Sequence, residues 1–262
     1  MGGIFHRAEL IFGKEKMDYI SEVKIIIFGI GGVGSWCAES LIRTGITKLT
    51  IVDSDTVCIT NINRQLQATI KTIGKVKTEV LKGRLLDINP KAEITALQKI
   101  YSKDNFTEFE LDSYDYIIDC IDSLSNKIHL MQTAAKTNAT FFSSMGAALK
   151  IDSTKIKVGK FSEIQGCRLA KNLRKIMNRN KYPKIDFLCV YSEERLPNIT
   201  QNEVCGTSNC MCPKNPKYDG VTELKNHEWC SSKAVINGSL AHITGIYGFT
   251  LASLVFNEIY NK

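Results

Sequence analysis

Apolar and polar stretches alternate along the chain and set out its elements. Ile25-Ile26-Ile27-Phe28 is a short β-branched run, the pattern of a strand buried on both faces. Trp36, Ala38, Leu41 and Ile42 then recur at helical spacing, and Lys48 to Val52 is a second strand-like run. Val76, Val80, Leu81 and Leu85 stripe a helix that starts at Gly74 to Lys77 and stops at Asn89-Pro90, since a residue before proline leaves the helical region. Glu93 to Leu97, Tyr114 to Cys120 and Thr140 to Ser144 read as further strands, with a helix over Ser125 to Lys136 between the last two. Farther on, Thr154 to Val158 and Asp186 to Tyr191 suit strands, and Arg168 to Arg179 suits a helix buried along Leu169, Leu173 and Ile176. Strands that alternate with helices predict an α/β fold with a doubly wound, mainly parallel, Rossmann-like sheet and a C-terminal extension.

The organisation follows from the same pattern. We expect one domain over residues 1–262. It comprises an amphipathic arm (1–20), a nucleotide-binding half (21–150) and a second half (151–262) with an irregular loop at 195–235. The uncharged segment Val235 to Phe256 contains Asn237, Ser239, His242, three glycines and two threonines. That polar content argues against a membrane span. Gly238, Ala241, Gly245, Gly248 and Ala252 share a helical face there, which predicts close packing against the protein itself or a second subunit.

Composition changes the picture little. The chain has 262 residues, 44% of them hydrophobic, enough for one large α/β domain or two small ones. A net charge of +7 permits an anionic partner without specifying one. Met1 to Arg7 lacks the apolar core of a secretory signal, so the nine cysteines are expected as reduced thiols of a cytoplasmic protein.

The chemistry concentrates after the first strand. Gly29, Gly31, Gly32 and Gly34 follow it at once, and Asp53 closes the second strand. Glycines allow a tight turn and close approach of a phosphate, the helix start offers free N–H groups, and an acid about twenty residues on can hold ribose hydroxyls. This frame binds a nucleotide without saying which. Asn61, Asn63, Arg64 and Gln65 lie in a polar loop, and Lys77 sits at a helix start. Arg64 and Lys77 suit a triphosphate and the charge developing at its α-phosphorus better than they suit a redox dinucleotide. Asp122, just past a strand end, suits Mg²⁺ or a helix N-cap. Arg168, Lys171, Lys175 and Arg179 line one side of a helix; such a face tracks RNA phosphates or simply meets water. Cys205, Cys210, Cys212 and Cys230 lack the paired spacing of structural zinc sites.

GIGGVGSW with Asp53 and Asp55, the N-x-N-R-Q of Asn61 to Gln65, Lys77 and the D-C-x-D ending at Asp122 resemble the ubiquitin-activating-enzyme-like adenylating proteins. The arm F-x-R-x-E-L-x-x-G from Phe5 to Gly13, the TNINRQ run and SSMGA at Ser143 to Ala147 are similar to the tRNA threonylcarbamoyladenosine dehydratases within that group. This resemblance implies ATP at the glycine turn with Asp53 on the ribose. It also implies Arg64 and Lys77 on phosphates, Mg²⁺ at Asp122, and a homodimer in which Arg7 reaches the partner's site. The implied substrate is threonylcarbamoyl-adenosine in tRNA, and a sulfur-transfer protein partner stays open. Activation of a sulfur-carrier protein's C-terminus and a nicotinamide-dependent oxidoreductase are the competing expectations. The resemblance thins across residues 195–235.

Overall fold

A computed structural model describes residues 3–201, 203 and 236–262. The strands are β1 (Lys24–Phe28), β2 (Lys48–Val52), β3 (Glu93–Leu97), β4 (Tyr116–Asp119), β5 (Thr140–Ser144), β6 (Ile156–Lys160) and β7 (Leu188–Ser192). The helices are α1 (His6–Glu22), α2 (Gly34–Thr44), α3 (Lys77–Ile88), α4 (Leu124–Ala134), α5 (Arg168–Arg179) and α6 (Ala241–Asn261). One seven-stranded sheet runs β3-β2-β1-β4-β5-β7-β6, parallel throughout except for antiparallel β6 at one edge. The expected doubly wound sheet is present. Strands of the second half join the same sheet as those of the first.

Alternation along β1 divides the core. Ile25 and Ile27 face the layer of α2, α3 and α6, where Leu41, Leu81, Leu85 and Leu251 are buried. Ile26 and Phe28 face the layer of α4 and α5, with Ile128, Met131 and Leu173. Both faces of the strand are therefore apolar, as its unbroken run requires. The chain winds from β1 outward through β2 to β3, then returns to place β4 on the other side of β1. Phe28, Val52 and Asp119 sit in register at the strand tips. The β1–β4 boundary is thus the switch point where open α/β sheets take ligands.

The small-residue face of the last segment packs on α2. A β-carbon on Gly248 would lie 2.5 Å from the Val33 carbonyl oxygen and 2.8 Å from the Cys37 nitrogen. Gly245 faces the Trp36 ring. Ala241, by contrast, is exposed at the helix start. No helix among the described residues is long and apolar enough to cross a membrane. The arm is longer than expected and bends at Gly13, whose φ is 73°. Its Lys16 donates to the Ile259 carbonyl near the end of α6. Predicted boundaries shift at β4, which omits Tyr114, Asp115 and Cys120, and at β6, displaced by two residues at each end. Most of the irregular loop at 195–235, with Cys205, Cys210, Cys212 and Cys230, lies outside the described residues.

Candidate nucleotide site

The site is built on the turn that joins β1 to α2. Gly29 has φ 82°, and a β-carbon there would lie 2.8 Å from the Cys120 carbonyl oxygen. Only glycine lets β1 pass so close to the end of β4. A β-carbon on Gly34 would overlap the Gly29 carbonyl oxygen, which closes the turn. Around the turn, Ser35 Oγ donates to the Gly31 carbonyl and accepts from the Leu66 amide. Gln67 Nε2 donates to the Ile30 carbonyl at 2.8 Å. The loop of residues 58–67 is thereby tied to the glycine turn.

Asp53 holds the turn from below. Its two carboxylate oxygens accept from the Ile30 amide at 3.0 Å and the Asp55 amide at 2.9 Å. Each oxygen keeps a second lone pair, so a ribose hydroxyl can share the carboxylate. Burial pushes the Asp53 carboxyl up, and Lys77 pulls it back only in part. Lys77 is 3% exposed; its Nζ donates to Asp55 Oδ2 at 2.6 Å and lies 3.9 Å from Asp53. Burial alone would lower its ammonium pKa, but Asp53, Asp55 and Asp122 together outweigh burial and raise it. Lys77 is therefore a charged ammonium among three carboxylates, with donors left beyond the one given to Asp55.

Arg64 approaches from the other side. Its Cγ lies 3.4 Å from where a β-carbon on Gly32 would stand. Its guanidinium donates to the Thr60 carbonyl at 2.8 Å and to Asn63 Oδ1 at 3.0 Å. The Arg64 carbonyl accepts from Trp36 Nε1 and Thr244 Oγ1, so α2 and α6 both fix its backbone. Asn63 Nδ2 donates to the Ser239 carbonyl, and buried Asn61 accepts the Cys58 amide, capping its own loop. Gln65 is 6% exposed, with its Nε2 near Gly31. Its Oε1 is buried without a hydrogen-bond partner.

Asp122 is exposed beyond β4 and acts electrostatically on Lys77. It is not the N-cap of α4; Ser123 occupies that position. No group of three or more His, Cys, Asp or Glu among the described residues could hold a metal by itself. An exposed carboxylate fits Mg²⁺ that arrives with phosphate oxygens, because this ion is commonly held by one or two carboxylates plus substrate phosphates.

The other predicted residues lie apart from this cluster. Arg7 is exposed on α1, the helix whose Met17 and Ile20 meet Gly45 at the far end of α2. Within one chain it is not brought to the turn. Arg168, Lys171, Lys175 and Arg179 are all exposed along α5, while Ala170, Leu173 and Met177 are buried. The buried stripe is thus offset by one residue from Leu169 and Ile176. Arg174 turns inward and donates to the Phe161 and Ile164 carbonyls. Cys37, Cys120, Cys167 and Cys189 are free thiols, and burial raises the pKa of Cys37, Cys120 and Cys189.

Sequence reading missed Thr244 and Gln67, which join distant segments to the turn. It also missed that Asp119, the first acid of the D-C-x-D run, pairs with Lys127 at 2.7 Å, both fully buried. A signal existed for Lys127: it shares the spacing of Leu124, Ile128 and Met131 on one helix face.

Comparison with known proteins agrees with this fold. Residues 5–259 match the ThiF family. The tRNA threonylcarbamoyladenosine dehydratase of Escherichia coli is 34% identical over 258 residues, covering 96% of this chain and 91% of that one. The dehydratase of the same name from Bacillus subtilis is 40% identical over 170 residues, 65% of this chain and 67% of that one. The solved E. coli enzyme in complex with ATP superposes with a TM-score of 0.80 at 27% identity, covering 98% of this chain and 94% of that one.

Proposed function

The chain belongs to the ThiF family, and from that premise we propose that it catalyses the ATP-dependent dehydration of N6-threonylcarbamoyladenosine next to the tRNA anticodon. The substrate's threonine carboxylate attacks the α-phosphorus of ATP. The bond to pyrophosphate breaks, and an acyl adenylate forms. A nitrogen of the urea-like linkage then attacks the activated carbonyl, loses its proton and expels AMP. One carboxylate oxygen leaves in AMP, so the base has lost water. Because the nucleophile is tethered, ring closure is effectively unimolecular.

Lys77 beside Asp53, which holds the Ile30 amide of the glycine turn, and Arg64, whose stem packs on Gly32, carry this reading. Preorganised cations there stabilise charge developing on the α-phosphate, which hydride transfer does not require. Asp53 orients the ribose, and the glycine turn offers its amides to the phosphates. Asp122, with phosphate oxygens, would hold Mg²⁺, which when bound neutralises triphosphate charge. The exposed cations of α5 meet tRNA phosphates, the protein works in the cytoplasm, and Arg7 completes the site of a second subunit in a homodimer.

The test is mass analysis of nucleosides from digested tRNA after incubation with enzyme and ATP. The expected product is lighter than the substrate nucleoside by one water. Activation of a carrier protein uses the same first step. A parallel reaction therefore replaces tRNA with a carrier ending in Gly-Gly. Pyrophosphate exchange that needs the carrier, with no dehydrated nucleoside from tRNA, would overturn the proposal.

A further inference from the structure

Beneath the exposed Asp122 lies a pair of charges that the chemistry above does not use. Asp119 ends β4, Lys127 lies on α4, and both are fully buried. Taking two ions out of water costs several kcal/mol each unless further hydrogen bonds complete them. Here those bonds converge on the backbone of one residue, Ile121, through the two peptide units on either side of its α-carbon. Asp119 Oδ1 accepts the Ile121 amide at 3.0 Å, and Lys127 Nζ donates to the Ile121 carbonyl at 3.0 Å. Ser143 Oγ, from the neighbouring strand β5, donates to Asp119 Oδ2 at 2.8 Å. On the outer side, the preceding Cys120 carbonyl is pressed against Gly29 of the glycine turn.

A buried pair serving only stability would be replaceable by well-packed apolar residues. This pair instead grips both polar groups of the residue immediately before Asp122. We infer that Asp119 and Lys127 are positioning residues that fix the backbone on both sides of Ile121 and so aim the Asp122 carboxylate at the space over Lys77. The inference rests on the reading of Asp122 as the protein's contact to Mg²⁺ on the triphosphate. Groups that orient a metal-binding side chain typically change metal affinity or activity by about 10–100-fold when removed.

Calorimetric titration of ATP with and without Mg²⁺ tests it, because the ratio of the two affinities reads the metal contact independently of turnover. The variants are Asp119→Asn/Lys127→Met, which removes both charges together, Lys127→Arg, Ser143→Ala and Asp122→Asn. The double variant is expected to bind metal-free ATP as the wild type does and to lose the Mg²⁺-dependent gain by about tenfold or more. Lys127→Arg retains a cation and a donor and should keep most of the gain. Ser143→Ala loosens Asp119 without stranding a charge, so it gives a partial loss even if the double variant does not fold. A wild-type gain in the folded double variant or in Ser143→Ala, with the gain lost in Asp122→Asn, would overturn the positioning role and leave the proposed function standing. A full gain in Asp122→Asn would defeat the reading of Asp122 and the inference with it.

Discussion

At the scale of single residues, the site places cations where backbone turns hold them. Arg64 is half-buried and bonded to its own loop through the Thr60 carbonyl. Arg64→Ala should therefore leave the fold cooperative and lower kcat/KM by about a hundredfold or more, the scale of losing one preorganised charge-stabilising donor. Steady-state kinetics beside a melting curve checks both halves, and an undiminished kcat/KM would remove Arg64 from the chemistry. Lys77 differs because it is the buried cation beside Asp53 and Asp55. Lys77→Met should cost turnover and also lower the melting temperature, since it leaves carboxylates partly buried without their cation.

Between elements, α6 packs closely on α2. Gly248 faces the Val33 carbonyl with no room for a side chain. Gly248→Val should destabilise by roughly 1–3 kcal/mol through overpacking. It should also weaken ATP binding, because Thr244, one turn earlier, holds the Arg64 carbonyl. Denaturant unfolding and nucleotide titration read the two effects separately. A second element junction depends on pH. Glu194 accepts the amides of Asp152 and Ile151, which hold its carboxyl below the ordinary glutamate value. A pKa lowered in the folded state stabilises above the unfolded value, near 4.3, and the gain disappears as pH falls through the folded value. Glu194→Gln should thus be less stable than the wild type at neutral pH and converge with it in acid. Parallel unfolding curves that never converge would contradict the assignment.

For the molecule as a whole, the exposed cations of α5 and the strand-tip crevice belong to one sheet and one chain. If α5 meets tRNA phosphates, neutralising Lys171 and Lys175 should weaken tRNA binding uniformly across sequences. It should also flatten the dependence of affinity on salt by about one contact's worth per lysine lost. Filter binding at several salt concentrations measures the slope. ATP affinity serves as the internal control and should not change.

How much of this was legible in the chain depends on the range of the interactions involved. The glycine turn, Asp53, Arg64 and Lys77 announced themselves because strand, turn and helix follow one another within a few dozen residues, so local backbone geometry alone constrains them. The bounds of Thr140 to Ser144 and Arg168 to Arg179 were legible to the residue, while the buried stripe of the helix was not, because Ala170 and Met177 rather than Leu169 and Ile176 face the core. The edge strand β6 was misplaced because its outward positions are exposed and carry no periodic signal. The structural duty of Asn61 and the inward turn of Arg174 were invisible, since each depends on a carbonyl or amide whose direction only the folded loop defines. The sequence by itself determined a nucleotide-binding α/β sheet and singled out Arg64 and Lys77 as the cations proposed to meet its phosphates. Only the tertiary structure decided that Asp119 and Lys127 meet behind Asp122, and that α6 presses on the glycine turn. Those contacts join segments remote in the chain, and no local propensity encodes them.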